Sequence, residues 1–195
     1  VEVRLHTKLT PDKLIGADAL VIATGATPIL PTFPGRDLPN VYDSHDVLSQ
    51  TVFPTGRVVV IGGGLVGLEV AEYLAGRADS ITVLEMLGAI GEDIGQIRRI
   101  AVMEELAGAG VQLIPGATCQ EITPSAVVYQ KDGEVAELRY DTAVIAIGTR
   151  SRPTKPLEDR AAELGIACYV IGDAKQARRA IQAIKEASEA ARAIA

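Results

Sequence analysis

The 195-residue chain has no tryptophan, two phenylalanines and five tyrosines. Its core must therefore be built from the small aliphatic residues that dominate an apolar fraction of 48%. That composition suits helices packed on parallel strands. Cysteine is scarce too: Cys119 and Cys168 lie far apart and in no C-x-x-C pair. This excludes a redox dithiol of that type and a thiolate-ligated iron–sulfur cluster, and both are expected to be buried structural thiols. His6 and His45 are the only histidines, and neither stands at a motif spacing from a second metal-type ligand. No metal site and no catalytic residue is expected, and no Ser-His-Asp or Cys-His set is readable. No apolar run reaches the roughly 20 residues that span a bilayer, so no membrane partner is expected. The first residues, VEVRLHTKLT, lack a basic segment followed by an apolar one, so no secretory leader is expected. The net charge of −6 argues against nucleic acid, whose phosphates need a basic surface. A reducing cytoplasm is the expected compartment.

What the chain does have is a series of apolar runs ending in glycine. VEVRL reads as a short strand and ALVIAT as a strand buried on both faces. GATPILPTFPGRDLPN is too rich in proline and glycine for regular structure and reads as an ordered loop. SHDVLSQ suits a helical turn capped by Asp43 or Ser44. An alternation then begins: strand RVVVI, helix Leu65–Ala75, strand ITVLE, helix Gly95–Ala109, strand VQLIP. Asp132-Gly133 between two alternating runs signals a hairpin, and TAVIAIG closes the segment as a buried strand. SRPTKP reads as a loop and IACYVIGD as a strand. Ala174–Ala195 reads as one long helix with Ala177, Ile181, Ile184, Ala187, Ala191 and Ile194 on its packed face. The charges of KQARRAIQAIK read as a solvated face of that helix. The chain is therefore α/β: a Rossmann-like, doubly wound parallel sheet with an antiparallel β-meander over residues 57–148, flanked by 1–56 and 149–195.

The chemistry sits in RVVVIGGGLVGLEVAEYLAGRADSITVLE. The pattern Gly62-x-Gly64-x-x-Gly67 follows a strand at once and opens a helix. Gly62 permits the tight turn, Gly64 lets the backbone approach a pyrophosphate, and Gly67 lets the helix sit close on the strand. Phosphates would lie on the N–H groups at the helix start, so Gly62, Gly63, Gly64, Leu65, Val66 and Gly67 form the candidate cradle. Glu85, 18 residues past Gly67, ends the second strand. A carboxylate there accepts hydrogen bonds from the ribose hydroxyls of NADH and repels the 2′-phosphate of NADPH. Met86 joins it in the candidate set, and the next residues bring no arginine. A fingerprint this deep in the chain marks an inserted domain, whose flanks should meet in space.

The stretches DALVIATGATP, VVVIGGGLVGLEVAEYLA, DTAVIAIGTRSRP and CYVIGDAKQARRAIQAIKEASEAARAI resemble, in that order, the pyridine nucleotide-disulfide oxidoreductase superfamily. More narrowly, the set is similar to the C-terminal half of the flavin and iron–sulfur enoate reductases, the 2,4-dienoyl-CoA reductases and the trimethylamine dehydrogenase group. The resemblance implies an NADH-binding domain, 57–148, inserted in an FAD-type domain formed by 1–56 and 149–195. It assigns Ala23, Thr24 and Gly25 to the first crossing and Gly148 to the end of the insert. It places Gly172 and Asp173 at a flavin's ribitol and pyrophosphate, and Glu69 near the nicotinamide.

The chain departs from that pattern in lacking a first glycine fingerprint, an FMN barrel and a cysteine cluster. It therefore reads as a piece of a longer polypeptide, with FAD anchored chiefly by residues outside it. The expected function is an NADH-binding module that passes hydride to a flavin in the parent enzyme, of the enoate or 2,4-dienoyl-CoA reductase type. Its expected partners are NAD(H), the FMN and iron–sulfur barrel module of that enzyme, and a second copy paired through exposed sheet edges. The alternative is a non-catalytic module that binds ADP or NAD for structural or regulatory reasons. A domain that binds no nucleotide is disfavoured by the intact Gly62–Glu85 unit.

Overall fold

The computed structural model describes residues 1–194. Contacts divide the chain into two compact units, residues 28–148 and residues 1–27 with 149–195.

The larger unit takes in the residues from Pro28 that precede Arg57, and its edge strand follows directly on the proline-rich stretch. Val41–Asp43 (β3) pairs in parallel with Thr142–Ile145 (β10) at the sheet edge. Next in chain order come Ser44–Leu48 (α1), Arg57–Ile61 (β4), Leu65–Leu74 (α2), Ser80–Glu85 (β5), Gln96–Gly108 (α3) and Gln112–Pro115 (β6). The parallel sheet has the order β3-β10-β4-β5-β6. Asp43 is the cap of α1, accepting from the His45 N–H at 2.8 Å. Strand β4 shows how the sheet is covered. Val58 and Val60 face a core with Val47, Leu68, Val70 and Leu106 from the three helices. Val59 and Ile61 face a second core with Leu84, Ile122, Val127 and Tyr140. This second core is closed by an antiparallel meander of Thr118–Ile122 (β7), Ala126–Lys131 (β8) and Glu134–Arg139 (β9). The β8–β9 turn is Asp132-Gly133, both at positive φ (53° and 85°), the geometry this dipeptide favours.

The sheet order reverses beside β4. From β4 the chain builds outward through β5 to β6, then returns to place β10 on the other side of β4. The crevice at the carboxyl ends of strands at such a reversal is where α/β sheets hold ligands. The unit also closes on its own ends, since the Ile29 N–H donates to the Gly148 carbonyl at 3.0 Å.

The smaller unit has Ala19–Ile22 (β1) paired in parallel with Ala167–Val170 (β12), Ala19 opposite Ala167 and Ile22 opposite Val170. Ala26–Pro28 (β2) and Thr149–Ser151 (β11), at the two chain crossings, pair with each other. Lys155–Leu164 (α4) and Ala180–Ile194 (α5) complete it. Its core is small: Leu14, Leu20, Ile22, Ala161 and Ala174 are the buried members.

Four expectations are corrected in this unit. Val1–Leu5 forms no strand; it is exposed and has no sheet partner, and a strand without a partner leaves its backbone groups unpaired. SRPTKP leads into helix α4, whose first turn tolerates Pro156 and whose end is set by Gly165 at φ 68°. The final helix starts at Ala180, not Ala174; Ala195 lies outside the described residues. Gly172–Ala174 is a short 3₁₀ turn, and the Asp173 carboxylate accepts from the Arg178 N–H at 3.1 Å, holding the chain out of helix there. Helix α5 buries Ala190 and half-buries Ala183 and Glu186. Ile181, Ile184, Ala187, Ala191 and Ile194, expected on the packed face, are exposed.

Candidate functional site

A cavity of about 710 Å³ opens at the carboxyl ends of β4, β5 and β10, lined wholly by residues between Ile29 and Gly148. Gly62, Gly63, Gly64, Leu65 and Val66 form one wall, and Glu85 and Met86 lie across from them. Gly148, Ala146 and Ile147, which end the β10 segment, contribute a third side. The volume falls within the range of roughly 300–1,000 Å³ typical of small-molecule sites.

The glycines are required by close backbone approach. A Cβ on Gly67 would lie 1.8 Å from the Gly62 carbonyl oxygen, so only glycine lets α2 sit this close to the turn after β4. Gly62 has φ 109°, and a Cβ there would lie 2.3 Å from the Ala146 oxygen. A Cβ on Gly63 would meet Glu85 Cβ and Ile90 Cδ1, both at 2.9 Å. The cap position of α2 is Gly64, so the helix has no side-chain cap of its own, and Gly64, Leu65 and Val66 line the cavity.

Glu85 is only 8% exposed, yet it is satisfied. Its Oε2 accepts from the Gly63 N–H at 2.6 Å and its Oε1 from the Leu87 N–H at 2.8 Å. Those two bonds fix the carboxylate at the cavity rim, and each oxygen keeps a second acceptor site for a hydroxyl donor. Backbone bonds from Ala117 N–H to the Glu85 carbonyl and from Gly116 N–H to the Leu87 carbonyl, both 2.8 Å, bring the start of the meander beside it. Thr118 and Cys119 thereby join the lining. The Cys119 thiol is pushed up to about 12 by burial and stays protonated; its donor contact to the Glu121 carbonyl is long, 3.9 Å. Both cysteines are free and half-buried rather than fully enclosed.

Of the other assigned residues, Glu69 lies on α2 but does not line this cavity; its carboxylate accepts from Arg98 at 3.4 Å. Gly67 acts from behind the wall. Ala23, Thr24 and Gly25 follow β1, and Gly172 and Asp173 follow β12, so these two turns stand at the same ends of neighbouring parallel strands within the smaller unit. The Gly172 N–H donates to Glu186 Oε2 at 2.8 Å, and Arg178 also donates to that carboxylate. These partners hold Glu186 below the usual carboxylate range. Among the described residues no cluster of His, Cys, Asp or Glu could hold a metal ion, and no helix is long and apolar enough to cross a membrane.

Three features were missed in the sequence. Residues 29–33 wall the cavity from within the proline-rich stretch. The meander contributes Ala117–Cys119. Asp93 reaches across to α2, with both carboxylate oxygens 3.0 Å from the Leu65 N–H. An acid eight residues beyond Glu85, in a loop following the acid-ended strand, was the available signal.

The family model for pyridine nucleotide-disulphide oxidoreductases matches residues 2–184. The chain belongs to this family. Its members are oxidoreductases with Rossmann-type FAD- and NAD-binding folds, and related enzymes bind FAD and NAD(P)H. The chain is 35% identical over 185 residues to an NADH oxidase of Thermoanaerobacter brockii, covering 91% of this chain and 28% of that protein. It is 29% identical over 199 residues to a cinnamate reductase of Clostridium sporogenes, covering all of this chain and 29% of that protein. Among solved structures, 2-naphthoyl-CoA reductase in complex with 2-naphthoyl-CoA superposes with a TM-score of 0.81 at 27% identity, over 95% of this chain and 28% of that one. The chain spans about a quarter to a third of the length of the curated relatives it matches. The shared module is thus a pyridine-nucleotide oxidoreductase module.

Proposed function

We propose that the chain is the NADH-binding module of a flavin-dependent oxidoreductase. The cavity at the ends of β4, β5 and β10 takes the dinucleotide, with its diphosphate on the N–H groups of Gly64 to Val66 and its adenosine ribose on Glu85. The observation that carries this reading is the fit between a glycine-walled cradle, in which Cβ atoms on Gly62 and Gly63 would clash with the turn around them, and a carboxylate fixed 2.6 Å from the cradle's own backbone. Glu85, Glu92 and Asp93 are the charged residues of the lining, and no Lys or Arg is among them. A 2′-phosphate would have no cation to meet, so NADH is favoured over NADPH.

NADH supplies a hydride when bound, and hydride transfer to a flavin needs no acid or base from the protein. The chain's own residues bind and orient. A flavin fits the smaller unit less well than NADH fits the cavity. That unit offers the Ala23–Gly25 and Gly172–Asp173 turns but, among the described residues, no second glycine cradle. Its flavin contacts are therefore supplementary to an anchor elsewhere in the parent enzyme. The cinnamate reductase and 2-naphthoyl-CoA reductase likenesses favour a parent that reduces activated alkenes or aromatic thioesters. An FMN and iron–sulfur barrel module is the partner such a parent would bring.

Titration calorimetry of the chain with NADH, NADPH, ADP and FAD tests this. Binding of NADH well above NADPH, with weak or no FAD binding, is expected. Equal affinity for NADH and NADPH would remove Glu85 from its role. ADP binding as tight as NADH binding, with no gain from the nicotinamide half, would favour a non-catalytic nucleotide module instead.

A further inference from the structure

We infer that Asp93 is an internal anion seated on the diphosphate position of the cradle, and that it sets the affinity of the site for dinucleotides; this rests on the nucleotide-binding reading above. Both oxygens of its carboxylate lie 3.0 Å from the Leu65 N–H, the first N–H of helix α2. A Cβ built on Gly64 would meet the same carboxylate, at 3.2 Å from Oδ2 and 3.5 Å from Oδ1. The carboxylate therefore stands over the glycine whose missing side chain leaves room for a phosphate.

The placement has a physical cause. The first N–H groups of a helix need acceptors, and a cap residue with a side-chain oxygen ordinarily supplies one. Here the cap residue is glycine, so the acceptor comes from a loop 28 residues further on. That loop is held in place. Ile90 and Ile94 are buried in the helix-side core, and the Gly91 N–H donates to the Gly63 carbonyl at 2.8 Å. Asp93 itself is exposed, so its carboxylate leaves the helix end by side-chain rotation while the loop backbone stays.

A diphosphate and a carboxylate cannot share one N–H cradle in a cavity whose lining carries no Lys or Arg. Binding is then an exchange of anions: the phosphates take the N–H groups and Asp93 swings out. The aspartate stabilises the ligand-free helix and opposes the ligand. A merely structural aspartate would make the opposite pattern, in which its loss weakens fold and binding together.

The test compares the full chain with its Asp93→Ala and Asp93→Asn variants by calorimetry with NADH, ADP and adenosine, and by thermal melting without ligand. Asp93→Ala is expected to bind NADH and ADP roughly three- to tenfold tighter, the scale of a charge at a helix N-terminus, and to melt earlier without ligand. Adenosine, which has no phosphate, is expected to bind unchanged. Should Asp93→Ala fail to fold, Asp93→Asn carries the same expectation with a smaller gain, since it keeps a hydrogen-bonding side chain and loses only the charge. NADH binding that is unchanged or weaker in the folded variants, or a gain that adenosine shares, overturns the inference and leaves the nucleotide site standing. No NADH or ADP binding by wild type and variants alike overturns both.

Discussion

The two units differ in how their apolar residues are used. Residues 28–148 hold a five-stranded sheet covered on both faces, with Leu68, Val60, Val83 and Val127 fully enclosed. Residues 1–27 with 149–195 hold the β1–β12 pair, most of the short β2–β11 pair and a five-residue buried core. They leave Val1, Val3, Leu5, Ile15, Ile181 and Ile184 more than 60% exposed. Two-stranded sheets over so small a core are marginal in water, so most of the chain's stability resides in residues 28–148. The cavity is lined wholly by residues of the larger unit.

The comparison is broken most sharply at Gly67. Gly67→Ala drives a methyl into the Gly62 carbonyl, and α2 must lift from β4. A loss of about 3 kcal/mol in urea unfolding is expected, together with loss of NADH binding. Unchanged stability would contradict the close approach described for this helix. Leu68→Ala and Leu20→Ala set the units side by side. Leu68 is fully buried among three helices and should cost about 3 kcal/mol, whereas Leu20, in the small core, should cost about 2 kcal/mol or less. Equal costs would erase the distinction between the units.

A smaller effect belongs to the Arg57–Asp141 pair. Asp141 accepts from the backbone N–H, Nε and Nη2 of Arg57, all at 2.8 Å, tying the start of β4 to the approach to β10. The guanidinium holds the carboxyl well below the ordinary 3.8. The stabilisation is therefore present at neutral pH and fades as pH falls below about 4 toward the lowered folded value. Asp141→Asn should melt slightly earlier at pH 7 and lose less on acidification than the wild type; parallel pH–melting curves would exclude the linkage. The effect is modest because both side chains are about half exposed. Smallest is Ile181→Gln, on the uncovered side of α5, expected to change unfolding free energy by no more than about 0.5 kcal/mol. A larger loss would mean that this stripe is covered by a second copy in solution.

The parts legible in the sequence were those whose pattern is local. β4, α2, β5, α3, β6 and the Asp132-Gly133 hairpin follow from periodicity and turn residues, and Gly62 to Glu85 defined one end of the cavity. What escaped reading depends on distant partners. β3 is three residues long and exists because β10 pairs with it. Val1–Leu5 alternates like a strand but finds no neighbour. α4 was hidden by prolines that read as loop, although the first turn of a helix accepts them. The apolar spacing of α5 was correctly helical, but periodicity states which side is apolar and not whether anything lies against it. Asp93 escaped because the only signal, one acid in the loop after the acid-ended strand, does not say what it faces until the fold sets it on Leu65.

The bond from the Ile29 N–H to the Gly148 carbonyl spans 119 residues of chain with one 3.0 Å contact. Seen from the flanking sequence, the larger unit departs and returns at a single point, like the tip of a surface loop. Closure entropy grows only logarithmically with loop length, and a loop whose ends are already pinned adds little more. Changes of chain length between residues 29 and 148 therefore cost little closure entropy so long as this contact holds.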